Sequence, residues 1–483
     1  MTVPLPSVDL TVVDGTLGST SPSAANTCLV MGVCSGGTAL APELLATTDA
    51  AVSGYGYGPA VEAAAYILQE TGVPVLFCRL EEATAGSVDL DTAGITGTSV
   101  LTITGTPLDS YEGLFEVPVG GTIGTAGIKI RYSLDNGRTW HGPYALGTAT
   151  TFPLPNTGLT LNFAAGTLVA DDAATFACVE PASDAAGIQA GFAAVHASDH
   201  QYGFALYVGQ ADASLISTID GDMSGAIAGA RWVSTLVNLR GYDAGEDDAT
   251  YKASVASALA ATTSTRVGAM AGHATITSPI SGRQYLRPGV WAAAARGVKN
   301  RPAEDLAKVK NGPLPRVYIK DAKRQLIAGC RDERTSPGLN AERLMTLCTI
   351  VGKRGVFIGN PNLLAPVGSD FDLWQYRRVM DIACTTTYQV LVEELSNDVR
   401  LARTGFILEK DALAIESRVN SALDLALLVT GNASEAKFVL SRTDNLSSTK
   451  TATGEVRVIP LGYLKRFAVS LGYTNPALSL VTT

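Results

Sequence analysis

The feature that most constrains this chain is its first apolar segment. From Pro4 to Val13 the residues alternate, with Val8, Leu10 and Val12 on one side and Ser7, Asp9 and Thr11 on the other, which is the period of a half-buried strand. Two prolines stand at its start, and a leash rich in Gly, Ser and Thr, residues 14–26, follows it. A lone strand on a leash leaves its backbone N–H and C=O groups unpaired. The segment is therefore expected to join a sheet elsewhere, in its own chain or in a neighbouring one.

At 483 residues the chain exceeds the size of one hydrophobic core, so several domains or subdomains are expected. Thr27 to Val33 and Val73 to Arg79 are apolar strands, and Pro59 to Gln69 is a helix with proline in its first turn. This is the spacing of a βαβ crossover in a parallel sheet. From Glu81 to Glu180 short Thr/Val/Ile/Leu runs alternate with Gly, Pro and Asn turns, the pattern of an all-β module. Helix and strand then alternate again: Ala185–His196 reads as a helix, Gly203–Val208 as a strand, residues 226–237 as mixed and Val267–Ala271 as a strand. The β module is thus inserted into the α/β part. Farther on, Asp370 and Asp411 are candidate caps of two helices. The tail alternates as a strand through Val456 and Val458 and again through Phe467, Val469 and Leu471, with Leu478 and Leu480 keeping the rhythm. The expected fold class is a mixed α/β, multi-domain one with an inserted all-β module and extended N- and C-terminal arms. Its expected divisions are 1–26, 27–85, 86–182, 183–338, 339–472 and 473–483.

Familiar chemistry is hard to find. His196 and His200 are spaced i, i+4, but Ala197 stands where a zinc-protease helix needs glutamate, and a polar exit turn is the simpler reading. Gly54, Gly56 and Gly58 precede a helix without the spacing of a dinucleotide loop, and Val351-Gly352-Lys353-Arg354 lacks the first glycine of a phosphate loop. The acidic cluster Asp243, Glu246, Asp247 and Asp248 is out of register for a calcium loop and reads as a solvated loop. Seven scattered cysteines without a CxxC pair read as buried thiols. Catalytic residues, cofactor and metal are all expected to be none. A net charge of −9 without a dense basic run argues against nucleic acid as a direct partner. The absence of a signal-like start or a bilayer-length apolar run leads to the expectation of a soluble chain made in a cytoplasm, without membrane insertion.

Several strings resemble the contractile phage tail sheath proteins. They are Leu339-Asn340, Arg343-Leu344-Met345-Thr346, Arg354-Gly355-Val356-Phe357-Ile358-Gly359, the helix Trp374-Gln375-Tyr376-Arg377-Arg378-Val379-Met380-Asp381, and the helix 412–427. The ending Val456-Arg457-Val458-Ile459-Pro460, Tyr463-Leu464-Lys465-Arg466-Phe467 and Asn475-Pro476-Ala477-Leu478 is similar too, as is the opening Val3-Pro4-Leu5-Pro6-Ser7-Val8. The resemblance implies a structural subunit, not an enzyme. Such subunits form stacked hexameric rings around a tail tube in a virion tail, with the tube, baseplate and tail terminator proteins as partners, and contraction drives the tube through the target cell envelope. It also implies that terminal arms add strands to neighbouring subunits. On this reading Val8, Leu10, Val12, Leu478 and Leu480 link subunits, strands carrying Val456, Val458, Phe467, Val469 and Leu471 receive them, and Lys353, Arg354, Arg377 and Arg378 are candidates to face an acidic tube. Other readings are a different tail or virion structural protein, or an α/β nucleotide-binding enzyme.

Overall fold

The computed structural model describes residues 24–243 and 245–473. Its centre is a six-stranded sheet in the order Val267–Met270, Ser234–Asn238, Phe204–Gln210, Cys28–Gly32, Val75–Arg79, Glu43–Leu45. The first five strands run parallel and the short last one is antiparallel. Their near-continuous apolar sequences follow from burial on both faces. Cys28, Val30, Phe77 and Leu206 point to one face, where helices Pro59–Thr71 and Val290–Lys299 cover them. Leu29, Met31, Leu76 and Tyr207 point to the other, under helices Ala185–Ala197, Ala213–Ala228 and Asp248–Leu259.

The last two helices differ from the sequence expectation. Residues 213–228 are rich in Ser, Gly and Asp, which are weak helix formers, but Ile216, Ile219 and Met223 bury one stripe and Asp212 caps the start through Leu215 N–H. The acidic cluster is a helix start as well: Asp247 accepts from Thr250 N–H at 2.7 Å and Glu246 grips Arg240.

Between Ser87 and Val179 the chain is all β. A five-stranded antiparallel sheet (Ser87–Asp91, Ala173–Val179, Glu112–Val119, Lys129–Ser133, His141–Ala145) packs with a three-stranded one (Thr151–Leu154, Leu159–Phe163, Leu101–Gly105) around Phe115, Leu161 and Phe163. Thr84 and Ala182 pair where the chain leaves and returns. A buried fork ties the module to the α/β part: Arg287, on strand Gln284–Pro288, donates from both terminal nitrogens to Asp109 at 2.6 and 2.5 Å. Tyr285 of the same strand joins the core of the β module.

The remaining core is smaller and lies among helices Trp374–Val392 and Glu409–Leu423 and the hairpin Glu435–Leu440/Gly454–Ile459. Residues 339–365 do not belong to it, although the sequence placed the boundary at 339. Leu339, Leu344 and Met345 pack in the α/β layers, and Met345 bridges to Met270 at the sheet's edge. Neither aspartate caps as expected. The helices start at Trp374 and Glu409, and the Asp411 carboxylate instead accepts from the Arg400 backbone N–H at 2.8 Å.

Candidate functional site

The hairpin near the C-terminus has two edges of different character. Strands 435–440 and 454–459 pair antiparallel, with Val456 opposite Phe438 and Val458 opposite Ala436. Ala436, Phe438 and Leu440 turn their side chains down onto helix Glu409–Leu423. Along the outer edge of that strand the helix supplies the missing partners. Asn420 accepts from Phe438 N–H at 2.7 Å and donates to Phe438 C=O at 3.1 Å, while Glu416 accepts from Leu440 N–H at 2.7 Å. Arg442 fixes Glu416 in a two-pronged contact at 2.7 and 3.0 Å and reaches Glu409 as well. This edge is sealed.

The edge of 454–459 is open. Because alternate residues of an antiparallel pair aim their amides inward and outward, sealing at Phe438 and Leu440 puts the N–H and C=O of Val456 and Val458 on the far side of the second strand. No strand pairs there among the described residues. Beside it, between Val456 and the outer face of helix Trp374–Val392, lies an apolar groove of about 350 Å³ lined by Trp232, Met380, Tyr388, Leu391 and Val392. An incoming strand would find main-chain partners and an apolar recess in one place.

Beyond Ile459 the chain lies along the subunit without a strand. Tyr463 donates to Ala303 C=O at 2.6 Å and packs on Tyr376, and Lys465 contacts Asp305. Phe467, Val469 and Leu471 are exposed and unpaired. They form no strand, and among the described residues no strand edge pairs with them, so alternation alone supplies no partner for the receiving strand expected there. Val8, Leu10, Val12, Leu478 and Leu480 lie outside the described residues.

The four candidate tube-facing cations separate. Lys353 and Arg354 are exposed in a turn where Gly352 and Gly355 adopt positive φ. Arg377 and Arg378 are buried within the subunit, which corrects their expected role. Arg377 pairs with Asp381 one turn on, at 2.7 Å. The Arg378 guanidinium lies over the rings of Trp374 and Phe204 and donates to the carbonyls of Gly297 and Ala25. The aromatic and basic residues of this helix point inward because its N-terminal half docks on the central sheet. There Trp374 meets Phe204 edge-on at 4.9 Å and donates to Ser234 Oγ.

A cleft of about 500 Å³ opens at the carboxyl ends of strands Phe204–Gln210 and Ser234–Asn238, where such sheets often take ligands. Its two helix N-termini are capped by Asp184 and Asp212, whose carboxylates satisfy the amides and repel a phosphate. Gly58 allows close approach of its loop to the strand end, since a Cβ there would stand 3.0 Å from Cys34 Cα. His196 bonds the Tyr202 hydroxyl at 2.8 Å, and no group of three or more metal-ligating side chains occurs among the described residues. No helix among them is long and apolar enough to cross a membrane.

Residues 5–362 match the family model described as DUF2586, N-terminal domain. The chain belongs to the DUF2586 family. The open-edged hairpin of this DUF2586 chain lies beyond the matched span. Solved structures match nearly end to end. A chain of the anti-feeding prophage baseplate, 6-fold symmetrised, aligns with a TM-score of 0.51 at 10% identity over 98% of this chain and 100% of that one. A chain of the same baseplate in its contracted state gives 0.50 at 12% identity over 98% and 99%. The sheath tail protein of Desulfitobacterium hafniense gives 0.47 at 12% identity over 94% and 100%. No curated protein matches the sequence. The expected mixed α/β class is borne out, and the DUF2586 chain shares its fold with these chains of the anti-feeding prophage baseplate.

Proposed function

We propose that this chain is a subunit of a contractile tail sheath. Copies of it polymerise as stacked hexameric rings around a tail tube, and a change of packing between them drives the tube through an envelope. The observation that carries this reading is a mismatch inside one subunit. Among the described residues, an edge with outward amides at Val456 and Val458 and an adjoining apolar groove has no strand, while residues 466–471 alternate like a strand and pair with no edge. Exchange of arms between copies answers both, with residues 4–13 and the C-terminal alternating segment as donors. The end-to-end fold likeness to chains of the anti-feeding prophage baseplate supports the same reading. Of the four candidates Lys353 and Arg354 remain exposed to meet a tube, and a baseplate and a tail terminator would bound the stack, in the tail of a virion or phage-like particle. The mechanism asks for no catalytic group and no cofactor, since metastable packing stores the energy.

Negative-stain microscopy of the purified chain tests this directly: regular helical tubes are expected. A deletion of residues 1–15 should leave a folded monomer that forms none. Normal tubes from the deletion would overturn the arm assignment, and thermal stabilisation by nucleotides without tubes would favour the enzyme reading.

A further inference from the structure

The β module is joined to the α/β body by a neck, where Thr84 pairs with Ala182, and by the charged seam around Arg287. This arginine, on strand Gln284–Pro288, is 2% exposed, and carboxylates from three separate elements converge on it. Asp109, in the loop before strand Glu112–Val119, takes both of its terminal nitrogens. Glu180, where the module returns to the neck, stands 3.9 Å from the same guanidinium. Glu62, on helix Pro59–Thr71, faces it from the body across a small void. Among the described residues Glu62 makes no ion pair, and its side-chain partner is Ser278 Oγ at 2.9 Å. The other charged groups there are engaged elsewhere. Arg283 donates to His141 and Tyr285, and Arg138 to the carbonyls of Asp135 and Gln284, with Glu112 at 3.5 Å. Asp135 accepts from Thr139 and from Gln284 N–H, and Asp184 caps its helix. Burial pushes the hydroxyls of Tyr66, Tyr111, Tyr207 and Tyr285 and the thiols of Cys178 and Cys330 up, and the His141 imidazole down, so all of these are neutral near pH 7.

One buried guanidinium thus serves three acids, and two negative charges are in excess when all three are ionised. An unpaired carboxylate is costly to keep out of water, so it takes up a proton or water comes to it. Asp109 holds the two-pronged contact, which leaves Glu62 and Glu180 to take protons. We propose that the seam is a proton-sensitive joint, which holds the β module on the body while Glu62 and Glu180 are protonated and opens at the neck as they ionise. Burial raises Glu62 from 4.5 to about 7 and raises Glu180 as well, and the Asp109 charge adds to both. An acid raised in the closed joint favours closure while protonated. Closure is therefore tightest below about pH 4.5 and weakens as pH rises to about 7, each acid changing the open-to-closed ratio by at most about tenfold per pH unit.

Tyr111 of the module and Tyr285 of the body report on the joint, since their buried rings meet edge to face across it at 6.1 Å. Hydroxyl-radical footprinting of the full chain at about pH 5 and about pH 7.5 reads their exposure, scaled to the exposed Tyr144. Modification of both rings should rise about tenfold at the higher pH. Phe77 in the central sheet and Phe115 in the module core should stay level, because each part keeps its own core. Glu62→Gln with Glu180→Gln should hold both tyrosines at the low rate throughout. Glu180→Gln alone should keep roughly half of the logarithmic rise, and it serves where the double variant does not fold. Tyrosine modification that does not move with pH would overturn the proposal. So would the full parent rise in the double variant, or in Glu180→Gln where only that variant folds. A rise shared equally by Phe77 or Phe115 would overturn it too, since a core and not the joint would then be opening.

Discussion

Replacing Val458 by proline separates the two uses of the hairpin. The Val458 N–H lies on the open edge, so its loss breaks no bond among the described residues, and proline is tolerated on such edges. Between copies the cost is larger. One main-chain bond disappears, worth about 1 kcal/mol, and the ring intrudes where the incoming carbonyl must sit, which displaces its neighbours. A loss of about 1–3 kcal/mol per linkage raises the concentration needed for polymerisation about 5- to 150-fold. Arg457→Pro is the control. Its N–H points into the hairpin toward Lys437, so this change should lower the melting temperature of the monomer. Sedimentation of assembled material against protein concentration, with calorimetry of the unassembled form, reads both effects. If Val458→Pro assembles at the parent concentration, the open edge is not where copies join.

Three further outcomes follow from packing and charge. Glu62 is buried beside Arg287 and bonded by Ser278, and burial raises its carboxyl from 4.5 to about 7. A raised acid favours the folded state while protonated, so Glu62's own contribution to stability should be fullest below about pH 4.5 and be lost as pH rises to about 7; Glu62→Gln should remove that slope between pH 4.5 and 7 and stabilise the chain at pH 8 by up to about 3 kcal/mol, read by denaturant melts of variant against parent across pH. Trp374→Ala should cost about 3–5 kcal/mol in such melts, and Gly297→Ala about 1–3 kcal/mol, because a Cβ there would stand 2.6 Å from Trp374 Cη2. Lys353→Glu with Arg354→Glu should leave monomer stability within about 0.5 kcal/mol of the parent yet weaken co-sedimentation with an acidic tube.

The parallel strands were legible because burial on both faces makes them apolar throughout, as in Cys28–Gly32 and Phe204–Gln210. The β module was legible from its turns. Helix Ala213–Ala228 was not, because only a narrow stripe is buried and Gly221, Gly225 and the serines hide it. Alternation found Val456 and Val458, but it also marked Phe467, Val469 and Leu471, where period alone cannot tell a strand in a sheet from one awaiting a sheet. The sealing of one hairpin edge was out of reach, since Asn420 and Glu416 look like ordinary surface residues of a helix. Arg377 and Arg378 looked like surface charge for the same reason: a cation's burial depends on ring faces and carbonyls brought from Phe204, Gly297 and Ala25, far away in sequence.

That inward turn of the 374–392 helix bears on how a pull on the hairpin reaches the rest of the subunit. Load applied along Val456 and Val458 passes across the ladder to strand 435–440, and from there through the side chains of Asn420 and Glu416 to helix 409–423. That helix shares a core with Val379 and Ala383 of helix 374–392, whose first residue is sunk in the central sheet between Phe204 and Ser234. Each step is a packed or hydrogen-bonded contact between regular elements, and no flexible loop lies in series. Close-packed interiors transmit strain with little give. A change of packing between copies would therefore move each α/β body as a unit, with the deformation left to the arms and to the contacts between subunits.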